Sequence, residues 1–137
     1  MGRALNLSQF QHNVTDGTTT VATTYVTNGS AKAWINFNGQ GTIAARDSMN
    51  VASLTDNATG NYTINFSNSM GNGNYSLTGA TGNNSTLSSG ASAVQIEMKP
   101  FSSQTTSGVG IYTVKQYDPY TVTDLPQVNA SIFGDLA

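Results

Sequence analysis

The residues able to do acid–base chemistry in this chain are few and widely spaced. Its carboxylates are Asp16, Asp47, Asp56, Glu97, Asp118, Asp124 and Asp135. Glycoside hydrolysis needs two carboxyl groups flanking one bond, and no pair here is placed in a way that requires catalysis. Asp56 reads as turn chemistry and Glu97 as the outward position of an alternating strand. Asp118 and Asp124 offer oxygens to a calcium ion, but the dense Asp-x-Asp-x-Asp spacing of a calcium loop is missing. His12 is the single histidine; it lies near no nucleophile elbow and has no second imidazole, so it supports neither a triad nor a His-rich metal site. With no cysteine in the chain, disulfides and thiolate metal sites are excluded. Gly39-Gln40-Gly41 is not followed by the Lys-Ser/Thr and helix of a phosphate loop, and it reads as a hairpin turn. The Asn-x-Ser/Thr triplets at Asn57, Asn61, Asn65 and Asn74 are what chance supplies in so Asn- and Thr-rich a chain. The expectation is a protein with no catalytic residue, no metal and no cofactor.

One aromatic concentration stands apart. Tyr112, Tyr117 and Tyr120 cluster around Lys115, Asp118 and Pro119. Rings beside polar groups bind sugars or protein surfaces, because the ring gives flat apolar area and the hydroxyl gives direction. The competing reading is that one or two of these tyrosines pack in the core or against a second copy.

Charge narrows the partners further. Only five residues are basic and the formal net charge is −2, which argues against nucleic acid, whose binding rests on Lys and Arg contacts to phosphate. No apolar run reaches the ~18 residues of a membrane span. The start, MGRALNLSQF, has no continuous apolar core, so it reads as lacking a secretion signal and the chain as made in the cytoplasm. Charged residues total 9 %, against roughly 25 % in an ordinary globular domain. Asn, Thr, Ser and Gly take their place. Such residues are poor in helix interiors, while Thr suits strands and Asn and Gly suit turns that need positive φ. Composition alone therefore specifies a β protein of one main domain.

The elements follow from alternation. Residues 1–30 form a separate segment, either a weak strand through Val14, Val21, Tyr25 and Val26 or an extended arm ordered by a partner. From Ala31 the pattern sharpens. Ala33, Ile35 and Phe37 share one face of a strand, opposite Lys32, Trp34 and Asn36. Thr42 to Ala45 restarts the chain after the glycine turn. Residues 48–66 read as a hairpin: alternation from Ser48 to Thr55, a loop at Asp56–Gly60 with Gly60 left-handed, and a return through Tyr62, Ile64 and Phe66. Further strands are expected at 74–80, at 93–99 with Val94, Ile96 and Met98 inward, at 109–115, and at 127–133. About seven to eight short strands with Gly/Asn turns make an antiparallel β-sandwich or jelly roll. Its core is thin for its size, which suggests oligomerisation, with a homotrimer as the expectation.

The stretch Lys32–Phe66, KAWINFNGQGTIAARDSMNVASLTDNATGNYTINF, resembles a module of tail-fibre and other virion structural proteins of tailed bacteriophages. Lys32–Gly39 and Val51–Phe66 carry most of the likeness, which continues more weakly to NASIFGD, Asn129–Asp135, and departs at Ala45, Asp47 and Met49. The resemblance implies a trimeric, non-enzymatic appendage of the virion that mediates attachment to the host cell surface. It implies an N-terminal virion-attachment arm, 1–30, with Leu5, Leu7 and Phe10 as docking residues against tail or baseplate. The head, 31–137, would then carry receptor-binding residues, Tyr112, Tyr117 and Tyr120, for host surface polysaccharide. The alternative is a capsid decoration or head-fibre protein whose arm grips the capsid lattice.

Overall fold

A computed structural model of the chain describes residues 13–15, 20–82, 93–100, 103–116 and 121–137, and chain contacts divide it into two units, Met1–Ser30 and Ala31–Ala137. In the first unit, β1 (Asn13–Thr15) pairs antiparallel with β2 (Thr20–Ala22), Val14 opposite Val21. A short helix follows, α1 (Thr23–Gly29). The strand expected through Tyr25 and Val26 is therefore corrected at its second half. β-branched and aromatic residues favour strands only weakly, and in the helix Thr27 Oγ1 donates to Thr24 O at 3.3 Å and Ser30 Oγ to Thr27 O at 3.0 Å. Tyr25 and Val26 are exposed on this helix. Leu5, Leu7, Phe10, His12 and Asp16 lie outside the described residues.

The second unit is all β: two antiparallel sheets packed face to face. Its first strand, β3 (Ala33–Asn38), shows the expected alternation, with Ala33, Ile35 and Phe37 buried. β4 (Ala44–Met49) pairs with β3, and β5 (Val51–Ala58) forms a hairpin with β6 (Asn61–Phe66). β7 (Ser76–Gly82), β8 (Ala93–Met98), β9 (Gln104–Thr105), β10 (Gly108–Gln116), β11 (Thr121–Val122) and β12 (Gln127–Phe133) complete it. One sheet has four strands in the order β4-β3-β12-β7. The other is built around β10, with β6 and then β5 on one side, β11 pairing the end of β10, and β8 and β9 also pairing β10.

The core lies between these sheets. Ile35, Phe37, Val128 and Ile132 of the four-stranded sheet meet Tyr62, Ile64, Val109 and Ile111 of the other, all at most 2 % exposed. Burying one such side chain contributes about 1.5–3 kcal/mol. Phe37 and Tyr62 pack edge to face across the interface, ring centroids 5.2 Å apart.

Two details of the strand pattern differ from expectation. The alternation from Met49 to Thr55 reads as one strand, but Asn50 has φ 55°, and the chain leaves one sheet there for the other. Asn tolerates this left-handed geometry, and its side chain fastens the corner: Nδ2 donates to Lys32 O at 3.0 Å and Asn68 O at 3.1 Å, and Oδ1 accepts from Asn68 N at 2.7 Å. The hairpin thus begins at Val51, and Asp56 to Ala58 belong to β5, leaving Thr59 and Gly60 as the turn. Gly60 is left-handed as expected, φ 60°. Met98, expected inward, is 43 % exposed, because β8 pairs only with β10 and Met98 stands at the end of that ladder.

Tyrosines fasten both ends of the sandwich. Tyr62 Oη lies 2.8 Å from Gly39 O and 2.7 Å from Asp124 Oδ1, so its one proton is offered to two acceptors. Asp124 Oδ1 also accepts from Gly60 N at 2.6 Å. A Cβ on Gly39 would meet Tyr62 Oη at 2.6 Å and Leu125 O at 2.9 Å, so only glycine admits the hydroxyl there. Elsewhere Tyr75 Oη donates toward Gly108 O at 2.8 Å and Thr105 O at 3.1 Å, and its ring packs on Phe66. Burial is the main cause that raises both phenols, Tyr75 to about 12. For Tyr62 the Asp124 carboxylate adds to the rise.

Candidate functional site

Every second residue of β3 faces away from the core, and this outward face carries a set of polar side chains around a cation. Register places Met49, Trp34, Ser131 and Thr78 in one row across the four-stranded sheet, and Asp47, Asn36, Asn129 and Ala80 in the next. Beyond that row the β3–β4 register shifts between Asn36 and Phe37: Asn36 pairs with Asp47 but Phe37 with Ala45. Arg46 is the extra residue. A bulge breaks alternation and re-aims the side chain of the added residue, and here it delivers Arg46 to the outer face beside Asn36.

The guanidinium is held by three neutral oxygens. Nη1 donates to Phe37 O at 2.9 Å and to Asn36 Oδ1 at 3.2 Å, and Nη2 donates to Pro126 O at 2.6 Å. Asn36 in turn donates from Nδ2 to Asn129 Oδ1, which fixes its amide with the oxygen toward Arg46. Asn38 ties the following turn, with Nδ2 donating to Gln40 O at 2.8 Å and Oδ1 accepting from Gln40 N at 3.3 Å. Together Asn36, Asn38, Gln40, Arg46, Pro126 and Gln127 line an open groove of about 580 Å³. That is within the roughly 300–1,000 Å³ of small-molecule sites. Gly82 makes room for the rim: a Cβ there would meet Gln127 Oε1 at 2.7 Å.

The outer face of the other sheet offers a contrast. Its Asn side chains are satisfied by one another's strands: Asn65 Nδ2 donates to Thr55 Oγ1 at 3.0 Å and Ser53 Oγ at 3.1 Å, and Asn57 Nδ2 to Thr63 Oγ1 at 3.0 Å. This ladder staples β5 to β6. A second depression, about 260 Å³, lies where β4 and β5 diverge, lined by Ile35, Ile43, Val51 and Leu54 with small neighbours. Among the described residues β4 and β5 each pair on one side only, so both present an open edge there.

Of the tyrosine site expected from sequence, Tyr112 alone lies among the described residues. Tyr112 sits half-buried on β10 with Lys99 Nζ 5.5 Å from its ring centroid, and Tyr117 and Tyr120 lie outside the described residues. Asp118 does as well, while Asp124 is committed to Tyr62 and Gly60. Among the described residues no three His, Cys, Asp or Glu side chains gather as a metal site would need. Arg46, Asn36 and Gln127 carry no motif, and nothing short of the bulge reveals that they converge. Chemically the groove can donate and accept hydrogen bonds and present one cation. It holds no nucleophile with an adjacent base. No protein-family model, curated protein or solved structure matches this chain.

Proposed function

We propose that this chain is a virion appendage protein of tail-fibre type, whose sandwich unit attaches to glycans on the host surface. The observation that carries this reading is the Arg46 groove. A bulge and four side-chain-to-backbone or side-chain bonds hold a polar, solvent-open depression on a face that the core does not use. Sugar recognition asks for this kind of planar, fixed amide and guanidinium group, with Trp34 half-buried one row away to supply flat apolar area. The likeness of Lys32–Phe66 to phage appendage modules supplies the setting. A homotrimer formed along the open β4 and β5 edges would cover exposed backbone and multiply weak sugar contacts.

The test is binding of the full chain, fluorescently labelled, to immobilised dextran, polygalacturonate and alginate, with Asn36→Ala/Arg46→Ala as the comparison. Binding by the parent chain and not by the variant supports the reading; no binding to any of the three sinks it. Native mass spectrometry checks the assembly, with a trimer expected and a monodisperse monomer refuting that part.

A further inference from the structure

We infer that the groove selects a carboxylate-bearing sugar, with Arg46 as the residue that reads the carboxylate. The inference rests on the glycan-binding reading above and adds the chemical class of the ligand. A guanidinium has five N–H donors in a rigid plane. In Arg46 three are taken, two on Nη1 and one on Nη2. Among the described residues nothing takes the Nε–H and one Nη2–H, and a guanidinium edge with its Nε–H and an Nη–H in one plane is the arrangement that meets both oxygens of a carboxylate. Two of the three fixing bonds go to main-chain carbonyls, Phe37 O and Pro126 O. The plane is therefore set by the backbone of β3 and of the residue just before β12 before a ligand arrives, which lowers the ordering cost of binding.

Among the described residues no carboxylate bonds to this cation. All three partners of Arg46 are neutral. Asp47, the acidic residue on the same face, turns Oδ1 back to its own neighbour's amide, Ser48 N, at 2.8 Å. That nearby negative charge also decides between anions. The single cation by itself matches a monoanionic carboxylate and only half of a phosphate dianion, and repulsion from Asp47 is the greater for the dianion.

The rim points to a sugar as the carrier. The side-chain amides of Gln40 and Gln127, both lining the groove, donate to and accept from nothing among the described residues, so each can exchange bonds with a hydroxyl. Asn38 is already spent on the turn.

The experiment uses the full chain and calorimetric binding to galacturonate oligosaccharides, to the same oligosaccharides with carboxyls reduced to alcohols, and to inorganic phosphate. The acidic oligosaccharide should bind about tenfold more tightly than its reduced form, the worth of one charge-assisted pair. Arg46→Lys should erase most of that ratio, because an ammonium cannot present two fixed coplanar donors. Gln127→Ala, which touches neither charge nor strand pairing, should weaken both sugars alike and keep the ratio; this variant covers the case in which Arg46→Lys unfolds. Equal binding of acidic and reduced sugars overturns the carboxylate assignment while leaving glycan attachment standing. Phosphate competing as well as galacturonate overturns it too. Binding of neither sugar overturns both readings.

Discussion

Replacing Tyr62 with Phe removes a single oxygen from the end of the sandwich where Gly39, Gly60 and Asp124 converge. The ring stays, so its edge-to-face packing on Phe37 is kept. What goes is one hydroxyl whose oxygen lies 2.7 Å from Asp124 Oδ1 and 2.8 Å from Gly39 O. A hydrogen bond to a charged acceptor is worth about 1.5–3 kcal/mol, and leaving a buried carbonyl without its partner costs about 1–3 kcal/mol. Asp124 is only half-buried and keeps its bond from Gly60 N, which offsets part of the loss. The expected destabilisation is about 2–4 kcal/mol, or about 8–16 °C in midpoint temperature for a unit of this size. Urea unfolding followed by fluorescence of Trp34, the single tryptophan, reads it directly. A second, independent readout is pH. The Tyr62 phenol is raised in the folded state by burial and by Asp124. Unfolded tyrosine ionises near pH 10, so above that pH the unfolded chain holds fewer protons and stability falls as pH climbs. The contribution is whole below about pH 10. The variant lacks it, so the gap between parent and variant should close as pH rises beyond that point. Tyr75, pushed up to about 12, keeps some alkaline slope in both proteins. A variant within about 0.5 kcal/mol of the parent, with an unchanged alkaline slope, would refute the account of this end of the sandwich.

Other substitutions probe other joints. Gly39→Ala brings a Cβ within 2.9 Å of Leu125 O and should cost about 2–4 kcal/mol by urea titration; in the Tyr62→Phe background the loss should be smaller than in the parent, since the other crowding atom is gone. Asn50→Ala should destabilise more than Asn50→Gly, by about 1 kcal/mol, because both lose the corner bonds but only alanine resists φ 55°. Thr81 Oγ1 is buried with no hydrogen-bond partner among the described residues, so Thr81→Val should be neutral or raise the midpoint temperature; a loss above about 1 kcal/mol would show that the hydroxyl has a partner.

How much of this was readable in advance varies residue by residue. Ala33–Phe37, Tyr62–Phe66 and Val128–Ile132 alternate apolar with polar, and each forms a strand with the apolar set buried. Asn50 defeats the same reasoning. Its neighbours alternate without interruption, and only its four side-chain bonds with residues 32 and 68 make a left-handed corner favourable. The bonds of Tyr62 and Tyr75 were not legible either, because each hydroxyl meets its partner across a separation of 62 or 33 residues.

What the sequence by itself determined is the all-β class, the turn at Gly60 and the apolar faces that form the core. These depend on local geometry: side chains alternate in a strand, and glycine alone enters positive φ without strain. Tertiary structure decided where the chain changes sheet, how Tyr62 is satisfied, and that Arg46 stands in a groove with Asn36, Pro126 and Gln127. Arg46 and Pro126 are 80 residues apart. Their meeting follows from a one-residue shift of register between β3 and β4 and from β12 lying beside β3, and a shift of register exists only once two strands are paired.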